Sequence, residues 1–135
     1  MSVKHFDHTV RVYWEDTDAG GIVFYANYLK FMERARTEWL RSFGFGQHQM
    51  REESGLIFVV ASTTLRYLQS ARLDDELRIT VEPREVGRAS MTIFQQAWRG
   101  DDLLTEGEIR IGCVDALTLK TSRIPSAIIA AIPQQ

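Results

Sequence analysis

The chain has 135 residues, 44% of them hydrophobic and 25% charged, the proportions of one small globular domain with one core, expected over residues 1–135. Its net charge of −2 argues against broad attraction to nucleic acid or to a membrane surface, and no apolar run approaches the roughly 20 residues needed to span a bilayer. The single cysteine, Cys113, excludes an internal disulfide and a cysteine-rich zinc site.

In chain order, the first residues lack the uninterrupted apolar stretch of a signal peptide, so cytoplasmic residence is the default expectation. A first strand is predicted near Phe6 to Tyr13. The segment Glu15-Asp16-Thr17-Asp18-Ala19-Gly20-Gly21 then forms an acidic turn in which glycine lets a ligand approach the main chain. From Tyr28 the apolar residues Tyr28, Leu29, Phe31, Met32, Ala35, Trp39, Leu40 and Phe43 follow a 3.6-residue period, a long amphipathic helix with Gly44 as its C-terminal stop. Its first N–H groups have no partner inside the helix and carry partial positive charge. They suit a carbonyl oxygen that becomes negative during acyl transfer, with Asp18 beside them as base or nucleophile.

A polar loop holding His48 is expected next. Apolar and β-branched runs follow near Leu56 to Tyr67, Glu76 to Glu85, Ala89 to Arg99 and Leu103 to Val114, with Gly87 and Gly100-Asp101 as hairpin turns. Strand, long helix and a four-strand meander make an α+β order, most economically a curved antiparallel sheet around the helix. Pro125 and Ser126 begin a short terminal helix through Ile132. Cys113 alternates with Ile111 as strand packing. His5, His8 and His48 show no metal-ligand spacing and read as surface residues.

The stretch VRVYWEDTDAGGIVFYANYLKFMERART, residues 10–37, resembles the opening of the 4-hydroxybenzoyl-CoA thioesterase-like hotdog family, and most closely its Tol-Pal-associated acyl-CoA thioesterase branch. The resemblance runs on through FVVASTTLRYLQSARLDDELRI, the VGRASM turn and the GCVDALTLKTSRIP tail. It implies a long central helix wrapped by a five-stranded antiparallel sheet, and a homodimer or dimer of dimers whose sheets join edge to edge. It also implies hydrolysis of an acyl-CoA, with aliphatic acyl groups favoured over hydroxybenzoyl, and no redox cofactor. The family's catalytic carboxylate falls on Asp18 and its backbone oxyanion donor on or near Tyr25, where branch members can carry histidine. Acyl carrier protein is the protein partner that the branch suggests.

Around that centre, Phe24, Val59, Val60 and Met91 are expected to line an acyl pocket, with Ser62 among the strand hydroxyls facing it. Arg88 and Ser90 are the expected CoA contacts. Arginine is a better bidentate phosphate ligand than lysine, and the basic residues are mostly arginine. For each of Arg66, Arg72, Arg78, Arg84, Arg88 and Arg99, however, pairing with a neighbouring glutamate is the plainer expectation. Several other patterns fail on their details. The acidic turn fails as a calcium loop, because Gly20 stands where an oxygen ligand belongs and Asn27 where a bidentate glutamate does. Ser62 lacks the G-x-S-x-G elbow, and Gly44-Phe45-Gly46 lacks both a third glycine and a preceding strand. Glu33, the competing helix carboxylate, sits near Arg34 and Arg36 as in an ion pair. A non-catalytic acyl-CoA or acyl-carrier-protein binding module is the alternative from another functional class.

Overall fold

A computed structural model describes residues 6–133. The sheet has the order β1-β3-β4-β5-β2 and is antiparallel throughout, from β1 (Phe6–Arg11), β2 (Leu56–Tyr67), β3 (Glu76–Val86), β4 (Ser90–Arg99) and β5 (Asp102–Asp115). The long helix α1 spans Asn27–Arg41, a second helix α2 Gln47–Ser54, and the last helix α3 Ser126–Ala131. Among the described residues no helix is long and apolar enough to cross a membrane.

β3 and β4 alternate buried and exposed side chains, placing Leu77, Ile79, Val81, Met91 and Ile93 on one face. That two-residue period marks a sheet covered on one side. The cover is α1, whose Tyr28, Phe31, Met32, Ala35, Trp39 and Leu40 enter the same core cluster. Leu29, although part of the apolar series, is 41% exposed and lies on the outer face. Gly44 at φ +91 ends the turn after α1, a conformation that suits glycine.

Three expectations are corrected. The four-strand meander is a three-strand one, because β2 lies at the far edge against β5 and β1 takes the place beside β3. Gly87 and Gly100 close tight hairpins. Residues 68–75 contain no such turn, and that connection is long enough to carry the chain across the sheet. His48 lies on α2 rather than in a loop. No residue of that helix is buried, so it carries no apolar period to read, and only its caps, Gly46 extended and Gly55 at φ +72, mark it. β1 stops at Arg11, since Val12 bonds to Asp74 and Asp75 and a 3₁₀ turn begins at Trp14. Smaller shifts follow the same pattern, with Pro125 capping α3 from outside its first turn. His5 lies outside the described residues.

The β2–β5 seam depends on Gly107. A Cβ there would meet Thr64 O at 2.0 Å and Leu65 Cα at 3.0 Å, and these are backbone atoms that no side-chain rotation moves aside. Gly107→Ala should therefore cost about 1–3 kcal/mol, the usual range for overpacking. Urea unfolding measures it, and a midpoint equal to the wild type's would refute the close approach.

Candidate active site

The turn before α1 is held from several directions. Asp16 is 6% exposed, and its Oδ2 accepts from Tyr13 N–H at 2.8 Å. Its carbonyl accepts from Phe24 N–H and from Asn27 Nδ2, at 3.0 and 2.8 Å. Asp16 thus braces the loop. Asp18 N–H donates to Ile22 O at 2.9 Å, Gly21 N–H returns to Asp18 O at 3.0 Å, and Gly21 takes φ +80. The Asp18 side chain closes its own turn, with Oδ1 accepting from Gly20 N–H at 2.8 Å. Oδ2 has no hydrogen-bond partner among the described residues, and Asp18 is exposed.

Asp18 opens onto a cleft of about 240 Å³ that it shares with Ile22, Val23, Tyr25, Tyr28, Tyr67, Leu68, Gln69 and Ser70. At the entrance to α1, the Tyr25 and Ala26 N–H groups have no acceptor among the described residues, whereas Phe24 N–H is spent on Asp16. The Tyr67 hydroxyl donates to Tyr25 O at 3.3 Å, and its ring meets Tyr25 edge-on at 5.9 Å and Tyr28 at 5.8 Å. Tyr28 is nearly sealed, and its hydroxyl accepts from Ala71 N–H at 3.0 Å. Ala71 O in turn accepts from Val23 N–H at 2.8 Å, so the wall opposite the helix is tied to the Asp18 loop. Burial raises the pKa of both Tyr28 and Tyr67, and the neighbouring tyrosines add to the effect at Tyr67. These phenols are neutral at pH 7 and serve as wall and donor.

Behind the cleft wall, Asp75 Oδ2 accepts from Arg99 Nη1 and from Arg72 N–H, both at 2.9 Å. Burial alone would raise the Asp75 pKa, but these hydrogen bonds outweigh it and hold the carboxyl below its ordinary range. The charged form is the one that folding favours. Its contribution is present above the unfolded-chain pKa and lost as pH falls through the lowered folded value. Asp75→Asn should flatten the acid limb of stability against pH in denaturant melts. An unchanged slope would refute this coupling.

The other expected site residues scatter. Phe24 is 44% exposed and packs on Tyr25 at 4.9 Å, outside the cleft lining. Val59 and Val60 line a different cavity against the middle of α1. Met91 is 1% exposed and packs in the core, outside the Asp18 cleft and the Val59–Val60 cavity. Ser62 is exposed on β2 opposite Arg110. Ser90 Oγ accepts from Arg110 Nη2 at 3.1 Å, and Arg88 forms no ion pair among the described residues. Arg84 pairs with Glu82 as expected, whereas Arg66 pairs with Glu106 across the β2–β5 seam and Arg78 and Arg99 pair with the aspartates Asp7 and Asp75. Cys113 is fully buried, and burial raises its thiol pKa, as suits packing. Reading the sequence missed Tyr28, Tyr67 and the 68–70 segment as cleft walls. Only the bridge between Ile22 and Arg72 and the bonds through Ala71 bring them to Asp18.

A long helix on a five-stranded antiparallel sheet, with an exposed carboxylate in the turn that leads into the helix, is the hotdog architecture of the thioesterases. The chain belongs to the thioesterase superfamily, whose family profile matches residues 20–106. Asp18 lies two residues before that span. The chain is 42% identical to the acyl-CoA thioesterase YbgC of Haemophilus influenzae over 126 residues, 93% of each chain. It is also 42% identical to the acyl-CoA thioester hydrolase YbgC of Escherichia coli O6:H1, over 99% of this chain and all of that one. Among solved structures, a "Probable Thioesterase" from Bartonella henselae superposes with a TM-score of 0.85 at 31% identity, covering 90% of this chain and 99% of the other.

Proposed function

We propose that the protein hydrolyses an acyl-CoA thioester to free CoA and a carboxylic acid, with Asp18 as general base or nucleophile and the amides at the entrance to α1 as oxyanion donors. The observation that carries this reading is that Asp18 and Tyr25 line one open cleft. The names of the YbgC relatives supply the substrate class. A thioester is already an activated acyl donor, so polarising its carbonyl and placing one carboxylate beside it is sufficient equipment. In the base route Asp18 takes a proton from water as the water oxygen bonds to the acyl carbon. The tetrahedral oxyanion then collapses and the C–S bond breaks. The thiolate leaves and is protonated to CoA-SH. In the nucleophilic route Asp18 itself bonds to the acyl carbon, the C–S bond breaks as CoA leaves as its thiolate, and water then cleaves the resulting anhydride to the free acid and the Asp18 carboxylate.

Arg88 and Ser90 lie at the far end of β3 from Arg72 and the cleft wall, and the eleven residues of that strand span about 33 Å. Their proposed role as CoA contacts therefore requires a second copy to bring its own Arg88 end to this Asp18. The exposed edge of β2, with Val59 37% and Val60 52% exposed, is the surface we assign to edge-to-edge pairing in a homodimer or a dimer of dimers. An aliphatic acyl group, acyl carrier protein as partner, a role beside the Tol-Pal system and cytoplasmic residence complete the proposal.

Thiol release over a panel of acyl-CoA chain lengths tests it. Turnover that depends on Asp18 supports the hydrolase. Tight binding of acyl-CoA without thiol release would replace it with a binding module.

A further inference from the structure

Helix α1 begins without a side-chain cap. Its N-cap residue is Ala26, which has no oxygen to accept from the first turn, and no acidic residue stands in that turn. Within the turn Asn27 N–H donates to Phe24 O at 2.8 Å, but Tyr28 N–H reaches Tyr25 O only at 3.4 Å, beyond the ordinary length of such a bond. The Tyr25 carbonyl is therefore poorly held by the helix itself, and it lies beside the two N–H groups, of Tyr25 and Ala26, that have no acceptor among the described residues. Its second partner comes from the sheet. The hydroxyl of Tyr67, the last residue of β2, donates to it at 3.3 Å, and among the described residues that is the only hydrogen bond the hydroxyl makes. Two long bonds share this carbonyl, and bonds of this kind in unliganded sites tighten when substrate binds.

Tyr67 is itself well placed to act as an anchor. It pairs in register with Thr105, and the next two amides, Leu68 N–H and Gln69 N–H, both donate to Leu104 O, at 2.8 and 3.1 Å. Its ring packs on Tyr28, which is 2% exposed, and meets Tyr25 edge-on. A peptide unit is planar and trans, so the Ala26 N–H points opposite to the Tyr25 carbonyl and turns with it, while the Tyr25 N–H follows through the dihedrals of one residue. We propose that Tyr67 is a positioning residue for the hydrolysis, its hydroxyl pinning the Tyr25 carbonyl and so fixing the direction in which the free Tyr25 and Ala26 N–H groups meet the acyl oxygen. The inference rests on the hydrolase reading and gives Tyr67 no bond to substrate. Donors aimed in advance need no reorganisation as the oxyanion develops, whereas an uncapped helix tip left to itself would. The same hydrogen bond polarises the Tyr25–Ala26 peptide and makes its N–H the stronger donor.

Tyr67→Phe in the full chain tests the assignment, because it keeps both ring contacts and removes only the hydroxyl. Thiol release from acyl-CoA should show kcat about tenfold lower, the net worth of one neutral hydrogen bond, with KM within about twofold of the wild type. In a chain whose Tyr25 N–H is already replaced by an ester oxygen, the same substitution should lower kcat by less than about threefold, since two changes that act through one group do not add. A readout without substrate accompanies these. With the Tyr25 carbonyl labelled ¹³C=¹⁸O, its infrared band should move to higher frequency in Tyr67→Phe as the hydrogen bond is lost. An unmoved band overturns the positioning role, because the hydroxyl then does not hold the carbonyl. So does a wild-type kcat in Tyr67→Phe, or a full tenfold loss repeated in the ester chain, which would place the effect of Tyr67 elsewhere than in the Tyr25 amide. A wild type that releases no thiol overturns the hydrolase reading and this inference together, and that result is distinct from an active wild type with an equally active Tyr67→Phe.

Discussion

Asp18→Asn is expected to fold as the wild type does and to release thiol from acyl-CoA about 10²- to 10⁴-fold more slowly, the range for a positioned acid or base. Folding should survive because the Asp18 side chain is exposed and its one internal contact, from Gly20 N–H to Oδ1, can be kept by the asparagine carbonyl oxygen. What the substitution removes is the negative charge and the free Oδ2 in the cleft. The two chemical routes separate in a single turnover in ¹⁸O-water. A nucleophilic carboxylate carries solvent oxygen into the Asp18 side chain, whereas a general base does not. Near-normal thiol release by the Asn variant, with circular dichroism and melting unchanged, would refute the role of Asp18 and leave the fold assignment intact.

Replacing the Tyr25 N–H by an ester oxygen, using the α-hydroxy analogue of tyrosine, should lower kcat by about 10²- to 10³-fold, the usual loss for one oxyanion donor. The side chain is untouched in that variant, and no hydrogen bond among the described residues is lost, because this N–H has no acceptor there. Tyr25→Phe makes the complementary change, removing the hydroxyl and keeping the amide. Its kcat should stay within about threefold of the wild type if the backbone is the donor. The reverse pattern, a silent ester and a damaging Phe, would move the role from the main chain to the phenol. The free amide at the head of α1 is the physical reason to expect the first.

Much of the architecture can be read from local pattern. The series from Tyr28 to Leu40 is a one-faced helix in any context that offers an apolar surface, and β3 and β4 alternate so regularly that their buried face is visible in the letters alone. Gly87 and Gly100 mark their hairpins, and the acidic turn ahead of the helix marks Asp18. α2 escaped because a helix with nothing buried leaves no period, and the meander was misread because sequence adjacency does not determine which edge a strand joins. Phe24, Val59, Val60 and Met91 are alike in hydrophobicity, yet only Val59 and Val60 share surroundings. An apolar residue serves core, edge and pocket equally well, and only its neighbours decide between them.

The sequence by itself determined the α+β class, the acidic turn that holds Asp18 and the helix that follows it, because each is a local matter of period, turn chemistry and capping. The tertiary structure decided that Tyr28, Tyr67 and Ser70 line the cleft onto which Asp18 opens, that Arg88 and Ser90 lie a strand's length away, and that Arg36 is buried with its Nη1 on Gln95. Those are contacts between residues tens of positions apart, created when α1 settles on the sheet, and no spacing within the chain encodes them.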